Sequence, residues 1–290
     1  MRLPIAAALL ASLVVATPSS RAAAQPVRKD AARAEPLVFG ETFTLASTTL
    51  GEVRRINVYA PPGYAASPDT RLPVLYMPDG GMAEDFLHVA GLVQVSVGNG
   101  TMRPFLLVGI ENTERRRDMT GPTESASDRR IAPRVGGSAA FRTFIRTELM
   151  PEVNARYRTT GETAIVGESL AGLFVVETLL LEPALFDTYV AFDPSLWWND
   201  GKLLADAETQ LRARFGAAPA LRRTLHVATS GEPSLVPLVQ RLTTTLERAA
   251  PPGLRWRHVP MPAEQHATIY HPAALQAFRL LFAPTPAPPR

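Results

Sequence analysis

The stretch Thr163-Ala-Ile-Val-Gly-Glu-Ser-Leu-Ala-Gly-Leu-Phe-Val-Val-Glu-Thr-Leu-Leu180 constrains this chain more than any other. A β-branched run from Thr163 to Val166 breaks at Gly167, and a largely apolar helical run begins at Leu170. Ser169 sits at the break. A strand that turns at once into a helix pushes the turn residue outward, and only small neighbours keep side chains from striking the strand or the helix. Gly167, Ala171 and Gly172 meet that requirement. The new helix also directs its free N–H groups and positive dipole end at the serine, where an oxyanion can form. The pattern therefore predicts an exposed serine on a tight strand-to-helix turn, either a nucleophile or a solvated turn residue.

The rest of the chain reads as a frame around that turn. Glu41–Ser47 and Glu52–Ala60 alternate as an antiparallel pair turning at Leu50-Gly51. Two buried strands follow. Pro73–Met77 runs into Pro78-Asp-Gly-Gly-Met82, and Arg103–Ile110 carries the second. From Glu111 to Gly137 the chain is charged and lacks apolar periodicity, which in a compact domain marks a functional or mobile loop. Ser138–Tyr157 places Phe141, Phe144, Ile145, Leu149 and Val153 at helical spacing. Beyond Leu180, strand 187–192, helix 201–215, strand 224–230, helix 234–250, strand 254–259 and helix 272–282 alternate. This predicts an α/β fold with a mostly parallel central sheet, an antiparallel N-terminal strand pair and helices on both faces.

The ends read differently. Residues 1–24 have the pattern of a secretory signal: Arg2, the apolar Leu3–Ala16, then a small-x-small site with cleavage after Ala24. Residues 25–36 are expected to be disordered, residues 37–283 to form the folded domain, and the Pro-rich residues 284–290 to be disordered again. The apolar run is shorter than the ~20 residues a bilayer span requires, and no cysteine follows it. The expected product is an exported bacterial protein, periplasmic or secreted, without a stable membrane anchor. Removal of Arg2 and Arg21 takes the formal charge from +3 to +1, which argues against a nucleic-acid partner. The absence of cysteine excludes a thiol nucleophile, a zinc–thiolate site and a disulfide framework.

A serine hydroxyl becomes nucleophilic when a base takes its proton and a carboxylate orients that base. The Gly-x-Ser turn is the nucleophile elbow of α/β-hydrolases, with Ala171 in place of the second glycine. In that fold the order is serine, acid, histidine, each on a loop at the carboxyl end of a strand. Of five histidines, His88 precedes the turn, and His226 and His258 lie inside strand patterns as structural histidines do. His266, in the loop after the last strand, is the candidate base, with His271 at the start of the final helix as its rival. Glu232, just after strand 224–230, is favoured as the acid, although a carboxylate there also suits a helix N-terminus. Asp193 is the competing acid. The oxyanion hole would combine the N–H of Leu170 with one from the Gly80-Gly81 loop, Gly81 being preferred.

Dispersed motifs then appear in a consistent order: Leu72-Pro-Val-Leu-Tyr-Met-Pro-Asp-Gly80, Arg115-Arg-Arg-Asp-Met-Thr120, Gly167-Glu-Ser-Leu-Ala-Gly172, Asp193-Pro-Ser-Leu-Trp-Trp198 and Glu264-Gln-His266. Together they resemble the putative esterase family of α/β-hydrolases, the group of human esterase D and the bacterial siderophore trilactone esterases. The chain departs from that pattern where Glu168 replaces a frequent histidine and Ala171 a glycine. The resemblance implies serine ester hydrolysis without cofactor or metal, with a small-molecule ester as partner: siderophore-lactone-like, acetyl-xylan, feruloyl or xenobiotic. It makes Arg115 and Arg117 candidates for an anionic or polyphenolic substrate, since guanidinium forks suit oxygen pairs. Trp197 and Trp198 are candidates for stacking on an aromatic ring. Acyl transfer to an alcohol, as in the mycolyltransferases that resemble this family, uses the same triad. A non-catalytic binding module on the same scaffold is the third reading.

Overall fold

The computed structural model describes residues 34–284, so the expected signal 1–24, residues 25–33 and residues 285–290 lie outside the described residues. Residues 34–38 are irregular and exposed, and fall in a unit separate from Phe39 onward. Within that second unit, eight strands build one sheet: β1 Glu41–Ser47, β2 Glu52–Tyr59, β3 Leu72–Pro78, β4 Leu106–Ile110, β5 Thr159–Glu168, β6 Thr188–Phe192, β7 Arg223–Ser230 and β8 Leu254–Met261. Their order across the sheet is β1-β2-β4-β3-β5-β6-β7-β8. The β1–β2 and β2–β4 pairs are antiparallel and every later pair is parallel, as the alternating pattern requires. β3 and β4 are buried along their whole length, which is why their sequences are unbroken apolar runs rather than alternating ones. Edge strand β8 instead carries Arg255 and Arg257, charges of the kind that discourage further strand pairing.

The helices are α1 Phe86–Gly98, α2 Arg115–Asp118, α3 Ala126–Ile131, α4 Ser138–Phe144, α5 Met150–Arg156, α6 Leu170–Leu181, α7 Trp198–Gly216, α8 Val236–Ala249 and α9 Tyr270–Leu281. α1 and α9 pack one face of the sheet around Phe86, Val93, Phe278 and Phe282. Residues of α4 to α8 pack the other around Phe144, Phe174, Leu211 and Leu242. α6 is buried from Leu170 to Leu180, so its apolar character on every side reflects a central position.

Three elements depart from the expected pattern. α1 forms from a valine-rich segment with glycines, poor in helical signal, because tertiary burial of Phe86, Val89, Ala90, Leu92 and Val93 outweighs propensity. The expected helix 138–157 is interrupted by a π-turn at Ile145–Leu149 just before Pro151, whose ring cannot sit in a regular helix interior. The 111–137 loop holds the short helices α2 and α3 and is pinned by ion pairs described below. The parallel strands bring the segments after β3, β5, β6, β7 and β8 to one end of the sheet, where the candidate residues gather.

Candidate active site

At the β5–α6 junction Ser169 adopts φ +61° and ψ −118°, a conformation side chains rarely tolerate. The turn permits it because its neighbours are small. A Cβ on Gly167 would lie 2.7 Å from Ala171, and one on Gly172 would lie 2.9 Å from the Phe192 carbonyl. The Ser169 N–H donates to the Phe192 carbonyl at 3.0 Å, and the Ser169 carbonyl accepts from Leu173 and Ser195. The nucleophile candidate is thus fixed to both the helix and the adjacent strand. Its Oγ lies 3.0 Å from His266 Nε2 and 3.4 Å from Ser195 Oγ.

His266 stands in the loop between β8 and α9, with its side chain 40% exposed. Its Nδ1 lies 3.2 Å from Asp193 Oδ2. Asp193 directly follows β6 in a left-handed conformation, φ +40°, and is fully buried. Its N–H donates to the Ala228 carbonyl at 2.9 Å, and its Oδ1 accepts the Ser230 N–H at 2.7 Å, so β7 holds it on both sides. Burial raises the Asp193 pKa, but hydrogen bonds from His266 and Ser230 outweigh that effect and keep the carboxyl below its ordinary range. The hydrogen bond to Asp193 in turn raises the His266 pKa against its own desolvation, with the negative field of Glu168, Asp193 and Glu232 adding to the rise. Serine, histidine and carboxylate therefore form a relay in which the imidazole can accept the Ser169 proton and stay charged against Asp193.

The expected Glu232 acid is corrected by this geometry. Gly231 donates its N–H to the Glu264 carbonyl, and the chain then turns away. Glu232 Oε1 accepts from Ser234 Oγ at 3.2 Å, leaving the carboxylate only a field contribution to His266. The signal for Asp193 was a carboxylate directly at a strand end, of a type that tolerates positive φ, followed by Pro194. His271 lies near His88, with tilted rings whose centroids are 5.5 Å apart, and takes no part in the relay. His226 is buried in β7 and pushed down to about 4 by desolvation, and His258 shares a 2.9 Å hydrogen bond with Thr229.

The oxyanion candidates divide. The N–H of Leu170 is at the first position of α6, where no intrahelical acceptor exists. The Gly80 N–H is committed to the Ile110 carbonyl at 3.0 Å, which excludes Gly80. The Gly81 N–H points instead to Glu84 Oε2 at 2.7 Å, so the preferred donor already holds an anionic oxygen of this chain. Arg115 grips Asp79 with two hydrogen bonds of 2.7 and 2.8 Å and remains partly exposed beside the relay. Arg117 does not. It is consumed by Glu52 and Asp118, which removes it from the substrate-reading candidates. Trp198 is 4% exposed, with its Nε1–H donated to the Gly121 carbonyl, and so is a core residue. Trp197 is 38% exposed and stays available for stacking.

Comparison with known proteins bears on the family and the fold. The family model described as Putative esterase matches residues 47–249, more than half of the chain. The ferri-bacillibactin esterase BesA of Bacillus subtilis (strain 168) is 31% identical over 183 residues, covering 54% of this chain and 61% of that protein. A siderophore triacetylfusarinine C esterase of Aspergillus fumigatus is 36% identical over 98 residues, or 32% of each chain. The chain thus spans about three-fifths or less of the curated relatives it matches. An IroE-like serine hydrolase from Shewanella oneidensis superposes with a TM-score of 0.74 at 29% identity, over 84% of this chain and 80% of that one. The BES protein of Bacillus cereus superposes at 0.76 with 23% identity, over 86% and 98%, a likeness of fold. The eight-stranded sheet is accordingly that of an α/β-hydrolase, and the chain belongs to the putative esterase family.

Proposed function

We propose that this chain is a serine carboxylester hydrolase acting through an acyl-enzyme on siderophore-lactone-like esters. The observation that carries the reading is His266 set between Ser169 Oγ at 3.0 Å and Asp193 Oδ2 at 3.2 Å. Ser169 Oγ forms a bond to the ester carbonyl carbon as His266 Nε2 takes its proton. Asp193 holds the imidazole tautomer and balances the imidazolium. The resulting oxyanion is received by the Leu170 N–H, with Gly81 joining once Glu84 is displaced from it. As the C–O bond of the leaving group breaks, the imidazolium passes its proton to the departing oxygen. Water then attacks the acyl-enzyme, His266 accepting its proton and returning one to Ser169 Oγ as the acid leaves.

The substrate class rests on the names of the relatives, which act on bacillibactin- and fusarinine-type siderophores, and on the partly exposed histidine, which suits a bulky ester. Arg115 and Trp197 are the residues to read an oxygen-rich aromatic substrate. Export ahead of this reaction is the reading supported by Arg2–Ala24, and a mature chain starting at Gln25 in N-terminal sequencing is its expected result. The principal test is a fluorophosphonate probe with a panel of trilactone, acetyl and feruloyl esters. Stoichiometric labelling at Ser169, loss of turnover in Ser169→Ala and highest kcat/KM on catecholate trilactones are expected. Unlabelled protein, or full turnover by Ser169→Ala, overturns the mechanism.

A further inference from the structure

Asp193 is not the only carboxylate at His266. Glu168, the last residue of β5, places Oε1 3.2 Å from the same Nδ1. That oxygen is buried and has no hydrogen-bond partner among the described residues, and the side chain is 16% exposed. We propose that Glu168 is a second carboxylate partner of His266, a positioning residue that lies against Nδ1 beside Asp193 and sets the basicity of the imidazole through its charge. The proposal rests on the serine–histidine reading above.

The surroundings explain why a carboxylate at this position acts on the histidine. Five groups face Glu168 from separate elements: His266 from the loop after β8, Asp193 from the end of β6, Arg115 from α2, Asp85 from the turn before α1, and Tyr270 from the start of α9. Arg115 is already clamped in a fork by Asp79, so much of its charge is answered elsewhere. Asp193 and Asp85 repel a second anion, and the buried Tyr270 hydroxyl has no hydrogen-bond partner among the described residues. Burial first, then those two aspartates, push Glu168 up to about 7 against the pull of His266 and Arg115. Glu168 and His266 are both raised, each bears on the other's protonation, and they behave as a coupled pair. When Ser169 gives up its proton, the imidazolium forms between two carboxylates, and ionised Glu168 favours it. The same charge raises the pH at which the free enzyme first presents a neutral imidazole. Glu168 thus strengthens the base while moving its working range upward.

Two opposite consequences make the proposal testable in the full chain with p-nitrophenyl acetate. In Glu168→Gln the acid limb of kcat/KM should move down by about 0.5–1 pH unit, because His266 loses a neighbouring negative charge. On the plateau above pH 8 its kcat should fall by about 3- to 30-fold, because the imidazolium loses a partner. The effect should grow when Asp193 is neutralised. Glu168→Gln in an Asp193→Asn background should lower kcat at least about threefold more than it does alone. An activity-independent readout is the NMR titration of the His266 imidazole, whose midpoint should fall in Glu168→Gln. An unmoved acid limb and midpoint, with the same loss in both backgrounds, would reduce Glu168 to a pocket-lining side chain. That outcome is separable from failure of the hydrolase reading, which would appear as turnover surviving Ser169→Ala.

Discussion

Arg115 and Arg117 are two residues apart on α2 yet belong to clusters of opposite character. Arg117 joins Glu52, Arg54 and Asp118 in a network in which both carboxylates hold two guanidinium groups. Arg54 is fully buried over the Phe141 ring and donates to Glu52 at 2.8 Å, Asp118 at 2.5 Å and the Glu111 carbonyl at 2.9 Å. Arg117 donates to Glu52 and to Asp118 at 2.7 Å. Arg115 faces the other cluster, where Glu168, Asp193, Asp79 and Asp85 share two cationic groups, one of them already held by Asp79. In the first cluster the hydrogen bonds of Arg117, opposed by desolvation, bring Glu52 down to about 2. In the second, desolvation brings Glu168 up to about 7. Burial and donors together separate them: desolvation dominates at Glu168, whose buried Oε1 has no hydrogen-bond partner among the described residues, whereas Arg117 donates to both oxygens of Glu52. A buried carboxylate with a guanidinium for each oxygen is structural, and one left short of donors is poised to titrate.

The sharpest way to break that comparison is to neutralise one carboxylate in the relay. Asp193→Asn should lower kcat by about 10²- to 10⁴-fold with KM little changed, since it leaves the pocket while removing the group that orients His266. Steady-state kinetics on p-nitrophenyl acetate checks this. A change confined to KM would move Asp193 out of the relay.

In the Arg117 cluster the same kind of edit should act on stability alone. Arg54→Met removes the buried cation from Asp118 and the partly buried Glu52, leaving Arg117 as their shared partner, and should cost about 3–5 kcal/mol in denaturant unfolding. The folded fraction should keep kcat within about twofold. A large kcat loss in fully folded protein would join the two clusters functionally.

The third contrast is in the sign of the pH dependence. Glu52, with a folded pKa of about 2, contributes stability that is present above its ordinary value near 4.5 and lost as pH falls toward 2. Glu168 is raised, so the unfolded chain releases its proton first and stability falls as pH climbs from about 4.5 to about 7. Glu168→Gln should therefore match the parent protein near pH 4 and exceed it above pH 7, by on the order of 1–3 kcal/mol. Unfolding free energies at both pH values measure the difference. An equal effect at the two would mean that Glu168 is not raised.

Much of the fold was legible because its signals are local. The elbow is written in Gly167, Ser169 and Gly172, and a Cβ on either glycine would meet an atom within 3 Å. The βα alternation follows from apolar runs that the sheet buries on both faces. The pairing of charges was not legible, because partners lie far apart in sequence: Arg54 with Asp118, Arg117 with Glu52, His266 with Asp193. Nor does sequence show that Gly81 gives its N–H to Glu84, since that depends on the turn before α1 closing on itself. α1 was hidden for another reason: its exposed side carries Leu87 and Val95, so little polar face reveals a helical period.

The smallest predicted effect concerns the carboxylate that sequence order favoured. Asp193 is the first residue after β6 and Glu232 the second after β7, and that extra step decides the chemistry. The intervening Gly231 lies so close to β8's exit that a Cβ there would meet the Pro262 carbonyl at 2.6 Å. Its N–H goes to the Glu264 carbonyl, which ties the two loops through backbone and sends the next side chain outward. Glu232 then bonds Ser234 at the approach to α8, where a carboxylate interacts well with the free N–H end of a helix. Its remaining influence on His266 is through the field, and solvent screens it. Glu232→Gln should thus change kcat by less than about threefold and lower the His266 titration midpoint slightly, less than Glu168→Gln does. The kinetic and NMR titrations used for Glu168 read both quantities. A hundredfold loss in Glu232→Gln alongside a nearly silent Asp193→Asn would return the acid role to Glu232.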